Sequence, residues 1–404
     1  MHNTPKISEG VHWVGVKDWS RRLFDSLIPL PKGTSYNSYL IEGDENVALI
    51  DTVNPGFEKT LEEKIRQLRD PKDLDYIIMN HAEPDHAGAI PYIMTLNGEA
   101  KLVATVKGAR MAERFYNIPR RRIIEVSDGS TIDLGDKELK FIEAPMLHWP
   151  ETMFTYLADD GILFSCDFFG AHTAEGLYDA DVEDLKVQAQ RYFGEIMMPY
   201  RSMAAKAMEK IKPLRIGLIA PSHGPIYKDP LRILNEYHRW VNGETREKVT
   251  VIYASMWGST EKMVSTIAEV LLSRGLEVVL YNLASADIGD IAKDLVDSRG
   301  LILGVPTVLG GAHPLGVYAA YLIRILRPPL SYLIVLGSYG WGGGALSQVS
   351  EILSPTKIEI LGAYEVNGPP SEGDLGKIVE MGQRLSEKIR GHGCEGDRAI
   401  KGRT

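Results

Sequence analysis

Only two cysteines, Cys166 and Cys394, occur in 404 residues, and no Cys-x-x-Cys pair is present. That excludes a disulfide framework and a thiolate-held iron–sulfur cluster. No apolar run approaches the ~18 residues that a membrane crossing takes, and the start Met1-His2-Asn3-Thr4-Pro5-Lys6 has no apolar signal core. A cytoplasmic location is the expectation. There is no block of Lys and Arg, and 45 basic against 54 acidic residues give a net charge of −9. Neither nucleic acid nor an anionic membrane is therefore expected as a partner. Internal repeats and low-complexity tracts are also missing.

The length suffices for two domains with sizeable cores, and the polar stretch Gly243-Glu244-Thr245-Arg246-Glu247 separates two sets of motifs. Residues 1–246 mix hairpin-like strands with helices such as 58–69. Residues 247–404 alternate strand and helix with the period of a doubly wound parallel sheet. The tail 391–404, rich in glycine and charge, is expected to be loosely held.

His81-Ala82-Glu83-Pro84-Asp85-His86 places four candidate metal ligands in six residues, directly after the apolar run 74–79. Three further apolar strands end in the same way: 139–142 leads to His148, 161–166 to Asp167 and 215–220 to His223. A single strand-end histidine is ordinarily a satisfied surface or core residue. Seven ligand-type side chains that could converge on one edge of a sheet are a metal site. Four imidazoles, three carboxylates and no thiolate suit a borderline transition metal, with iron or manganese favoured over a thiolate-rich zinc site.

Up to this point the N-terminal half resembles the metallo-β-lactamase superfamily, whose fold is an αββα sandwich and whose usual motif is His-x-His-x-Asp-His with two zincs. Glu83 stands here in place of the second His. With Met146-Leu147-His148-Trp149-Pro150 and Pro221-Ser222-His223-Gly224, that substitution is similar to the flavodiiron proteins. The resemblance implies that His81, Glu83 and His148 hold one iron, that Asp85, His86 and His223 hold the other, and that Asp167 bridges them. Charge agrees: three carboxylates carry −3 against +4 for two ferrous ions, and one hydroxide would neutralise the cluster, as burial favours. His172 is a candidate to orient a ligand carboxylate, with an ordinary buried imidazole as the alternative. Tyr192 and Phe193 match a region of pocket wall in the family, although the helical spacing of Leu185, Ala189, Tyr192, Phe193 and Ile196 makes them core candidates too. His12, His238 and His392 fit no ligand pattern.

In the second half, strand 248–254 runs into Ser255-Met256-Trp257-Gly258-Ser259-Thr260 before a helix at 261–273. Hydroxyls and bare amides at a helix start form an anion cradle without a Lys or Arg. It resembles the phosphate loop of flavodoxins, which hold FMN. Two later strand ends supply glycine-rich loops, Pro306-Thr307-Val308-Leu309-Gly310-Gly311 and Ser338-Tyr339-Gly340-Trp341-Gly342-Gly343-Gly344, with Tyr339 and Trp341 as ring neighbours. Gly340 to Ala345 formally matches a dinucleotide fingerprint. It lies late in the unit rather than in its first turn, so a nicotinamide site is not expected.

The flavodiiron resemblance spans about residues 7–389 and both motif sets. It implies reduction of dioxygen to water, or of nitric oxide to nitrous oxide, with two irons and one FMN per chain. Reduced FMN and two ferrous ions hold the four electrons that water formation consumes. The family further implies a head-to-tail homodimer, or a tetramer built from it, that sets flavin against iron. No rubredoxin module is fused here, so an external donor is implied: a reduced deazaflavin coenzyme by preference, or a free rubredoxin. Some members place a His in the N-terminal loop near the irons; the stretch 21–27 has none, which leaves the choice of oxidant open. A binuclear zinc hydrolase with a flavodoxin-like module is the alternative of another class, and Glu83 is the feature against it. An electron carrier with a scaffold-only metal half is a third reading, opposed by the complete ligand set.

Overall fold

A computed structural model of the chain describes residues 3–400, the side chains of 392–400 excepted. It divides into two compact units, Met1–Asn242 and Gly243–Thr404. The first is a sandwich of a seven-stranded and a five-stranded sheet. In the larger sheet Tyr39–Glu42 pairs antiparallel with Val47–Ile50, which runs parallel to Tyr76–Ile78, Lys101–Thr105 and Ile123–Val126. Strand alternation sorts its side chains. Leu40, Leu49, Ile77 and Leu102 pack beneath the helices Glu58–Arg66, Ile90–Leu96 and Val106–Tyr116. Ile41, Ala48, Ile50, Ile78 and Val103 face the smaller sheet, meeting Leu139, Phe141, Met153 and Phe164. Both faces of the larger sheet are buried, so its strands read as apolar runs rather than alternating ones.

Two elements are shorter than their sequence pattern. The helix expected at 58–69 closes at Arg66, as the chain turns toward Pro71, whose ring disfavours helix in the residue before it. The strand expected at 215–220 is reduced to Leu218–Ile219, which pairs parallel with Ile162–Phe164 and bridges Tyr227 on its other side.

The second unit is one parallel sheet. Numbered by appearance, its strands Arg246–Tyr253, Glu277–Asn282, Ser298–Gly304, Tyr332–Tyr339 and Glu359–Asn367 lie in the order 2-1-3-4-5. This is the flavodoxin-like winding, whose switch point lies between the first and third strands. The last helix runs Glu372–Ile400; the loose tail expected at 391–404 falls on residues whose side chains, and from 401 whose backbone, lie outside the described ones.

Candidate metal centre and cofactor loops

All seven ligand candidates come together, but at one edge of the two-sheet sandwich rather than of a single sheet. His81, Glu83, Asp85 and His86 follow Tyr76–Ile78 of the larger sheet, whereas His148, Asp167 and His223 follow Glu138–Glu143, Ile162–Phe164 and Leu218–Ile219 of the smaller. They fall into two groups able to hold a metal ion, His81, Glu83, His148 with Asp167, and Asp85, His86 with His223.

Asp167 joins them. Its Oδ2 lies 3.2 Å from His148 Nε2 and 3.5 Å from His81 Nε2, while Oδ1 lies 3.0 Å from His86 Nε2 and 3.5 Å from His223 Nε2. Glu83 Oε2 stands 3.1 and 3.2 Å from His81 and His148, and Asp85 Oδ2 stands 3.1 Å from His223. Two ligands at right angles on a metal with bonds of about 2.1 Å lie about 3 Å apart, so the spacings fit a pair of cations. Asp85 supports the fit: both its oxygens are buried and reach no hydrogen-bond donor in bonding geometry.

The electrostatics agree. Burial opposes charge on His86, yet the Asp85 and Asp167 carboxylates push it up to about 10; burial likewise opposes charge on His148, which Asp167 and Glu83 push up to about 10. Burial would raise the Asp167 and Glu83 carboxyls, but the imidazoles hold both below the usual range. A pocket that traps protons among its ligands is one where metal cations exchange for them.

Three residues outside the sequence motifs set this geometry. Glu151 is 3 % exposed, and its Oε1 accepts from both His81 Nδ1 and the Ala82 amide at 2.9 Å. This leaves His81 Nε2 to face the site. Asp51 accepts from the backbone and side chain of Asn80 at 2.8 and 3.0 Å, bracing the residue before His81. Burial pushes Asp51 up to about 6. His223 Nδ1 donates to the Ser35 carbonyl at 2.6 Å.

Of the two readings open for His172, the contacts match the ordinary buried imidazole, with no carboxylate bonded to it among the described residues. Its Nδ1 meets Thr34 Oγ1 at 3.0 Å, and burial, aided by His223, keeps its ring neutral. Tyr192 does border the site, 4.8 Å from the His172 ring and 5.9 Å from His223. Phe193 turns instead onto Tyr237 and Trp240 at 5.3 and 5.4 Å and belongs to the core. Above the ligands, the hairpin of Leu23–Phe24 and Ile28–Pro29 lays Phe24 5.0 Å from His172. At its tip Asp25, in left-handed backbone, has its carboxyl pushed up by burial and then by Glu83 and Asp85. The stretch without a histidine thus presents a carboxyl.

In the second unit Met256, Trp257, Ser259, Pro306, Thr307, Ser338, Tyr339 and Gly340 line one cavity of about 210 Å³. Gly368 and Pro369, beyond the fifth strand, complete it and carried no sequence signal. Ser255 Oγ accepts from the Gly258 and Glu261 amides, shaping the turn into helix Ser259–Ser273, and Gly258 takes a φ of 85°. Thr260 is buried, its Oγ1 2.9 Å from Ser338 Oγ, so it ties two loops together rather than facing a ligand. Thr307–Val308 and Gly311–Ala312 form a short hairpin, with Leu309 and Gly310 as its two left-handed turn residues. Leu309, Trp257 and Trp341 are 97, 92 and 94 % exposed, an unusual state for such side chains. Gly342 and Gly343 continue the third loop, where Glu365 crowds the space a Gly343 side chain would need.

A β-lactamase-type sandwich bearing a binuclear ligand set, followed by a flavodoxin fold, defines a metalloflavoprotein. Residues 34–224 match the ODP family beta lactamase and residues 251–382 match flavodoxin. The chain is 36 % identical to a nitric oxide reductase of Moorella thermoacetica, covering 96 % of this chain and 100 % of that one. It is 35 % identical to a coenzyme F420H(2) oxidase of Methanocaldococcus jannaschii, covering 95 and 97 %. The structure superposes on rubredoxin oxygen:oxidoreductase from Desulfovibrio gigas with a TM-score of 0.93 at 29 % identity, covering 96 and 99 %. The chain belongs to the flavodiiron, or A-type flavoprotein, family. It is an oxidoreductase whose cofactors are a di-iron centre and FMN. No described helix is long and apolar enough to cross a membrane.

Proposed function

We propose that the protein reduces dioxygen to water, with the first unit carrying the irons and the second relaying electrons through FMN. The observation that carries this reading is Asp167, whose two oxygens face the two ligand groups separately. His81, Glu83 and His148 would hold one iron, Asp85, His86 and His223 would hold the other, and Asp167 would serve both. When bound, the irons supply reversible one-electron chemistry and open coordination positions for a diatomic oxidant.

The chain's own groups hold this arrangement and limit access to it. Glu151 and Ser35 fix the tautomers of His81 and His223, and Phe24 and Tyr192 exclude bulk water on one side. Glu83 and His148, with side chains 13 and 16 % exposed, leave the other side open. In the second unit the loops at 255–260, 306–311 and 338–344 would hold FMN, phosphate at the helix start and ring near Tyr339 and Trp341. A head-to-tail homodimer is the expected assembly, because it brings one subunit's flavin to the other's irons. Reduced deazaflavin coenzyme is the preferred donor.

The test is iron, zinc and FMN per chain in protein purified anaerobically from its native host, followed by dioxygen and nitric oxide consumption. Reduced deazaflavin coenzyme and reduced rubredoxin are supplied in parallel. Two irons, one FMN and faster turnover of dioxygen support the reading. Faster turnover of nitric oxide replaces it with nitric oxide reduction, the activity in the Moorella relative's name. Two zincs without redox turnover would restore the hydrolase.

A further inference from the structure

Away from the ligand cluster, a cavity of about 550 Å³ opens between the N-terminal strands and helix Glu58–Arg66. Trp13, Trp19 and Phe57 supply aromatic wall, and Lys17, Lys64 and Thr60 supply polar groups. Lys64 is the unexpected member. It shares the helix's inward face with Leu61 and Ile65, where an apolar residue belongs, and is 5 % exposed. Its Nζ donates to the Gly15 carbonyl and sits 4.0 Å over the Trp13 ring. Lys17 Nζ donates to the Gly176 and Glu175 carbonyls.

Among the described residues no carboxylate lies within ion-pair distance of either ammonium; Asp181 is the acid whose field reaches Lys17. Burial pulls both amines down to about 8, and Lys17 adds its repulsion to Lys64. Buried charges are ordinarily paired, and two unpaired cations facing one cavity are costly for the fold alone. A fold that tolerates this cost gains from an anion that enters. The volume lies within the range of small-molecule sites, roughly 300–1,000 Å³.

We infer that this cavity is a binding site for a small aromatic carboxylate, its ring against Trp13, Trp19 and Phe57 and its carboxylate against Lys17 and Lys64. Nothing in the site depends on the irons or the flavin. The experiment is calorimetric titration of iron- and FMN-loaded protein with 2-naphthoate and with neutral 2-naphthamide, the latter matching the ring without the charge. Saturable 2-naphthoate binding at one site per chain is expected, at least about tenfold tighter than the amide. Lys64→Met and Lys17→Met, which keep side-chain bulk, should each weaken 2-naphthoate by about tenfold or more while iron and FMN contents stay at wild-type values. Lys17 is less buried, so its variant carries the test should Lys64→Met fail to fold. No saturable binding, equal affinity for acid and amide, or binding indifferent to both substitutions would overturn the assignment.

Discussion

Replacing Glu151 with Ala tests whether the buried carboxylate behind His81 sets the metal site. Glu151 Oε1 is the acceptor for two buried donors, His81 Nδ1–H and the Ala82 amide. Burial pushes this carboxyl up, but the hydrogen bond and charge of His81, joined by backbone amides that include Ala82, together outweigh it and hold the group below the usual range, so it stays ionised. Removing it orphans both donors. At about 1–3 kcal/mol for each unsatisfied group, the iron-free protein should lose roughly 2–6 kcal/mol. Iron affinity should fall about 10–100-fold, because the imidazole no longer has one nitrogen tied back while the other faces the metal. Glu151→Gln keeps a neutral oxygen in place and should cost clearly less on both counts. The assay is anaerobic equilibration of iron-loaded protein against a graded chelator, with iron per chain measured at each step, beside thermal melts of the iron-free forms. If Glu151→Ala retains iron like the wild type, or if Gln and Ala substitutions cost the same, the orienting role of Glu151 is refuted.

Asp167→Ala should abolish dioxygen turnover and lower iron below two per chain, whereas full turnover would revive the carrier reading with a scaffold-only metal half. Trp257→Ala and Trp341→Ala remove exposed rings, so stability should move by no more than about 0.5 kcal/mol while the FMN Kd rises by a few-fold to about tenfold; unchanged FMN affinity in both would remove these rings from the flavin site. Lys17 and Lys64, drawn down to about 8, release protons in the native state that the unfolded chain keeps up to the ordinary lysine range. Native stability should therefore rise as pH climbs from about 8 toward 10.5. The melting-temperature advantage of Lys64→Met over wild type should shrink across that window, and a constant difference would show that Lys64 is not buried as a charge.

What the sequence disclosed, and what it hid, follows from how far each partnership reaches along the chain. His81, Glu83, Asp85 and His86 were legible because a metal demands particular side chains and a strand end delivers four of them within six residues. The three distant ligands were legible for the same reason, each closing an apolar strand. Glu151 has no such signature. It lies three residues past His148, where a lone acid in a loop reads as an ordinary surface carboxylate, and its partner is 70 positions away on the other sheet. Only the pairing of the two sheets creates the contact. Asp51 is hidden likewise, 29 positions from Asn80, and Lys64 passes for one more cation on an amphipathic helix until its inward face is known. Phe193 shows the converse: a helical spacing that fits pocket and core equally is decided by Tyr237 and Trp240, which the motif could not name. Residues that bind through their own chemistry can be found from residue type and spacing, whereas residues that act by holding another in place become visible only with the topology. The chelation experiment on Glu151 therefore probes the part of the centre that the fold, rather than the motif, supplies.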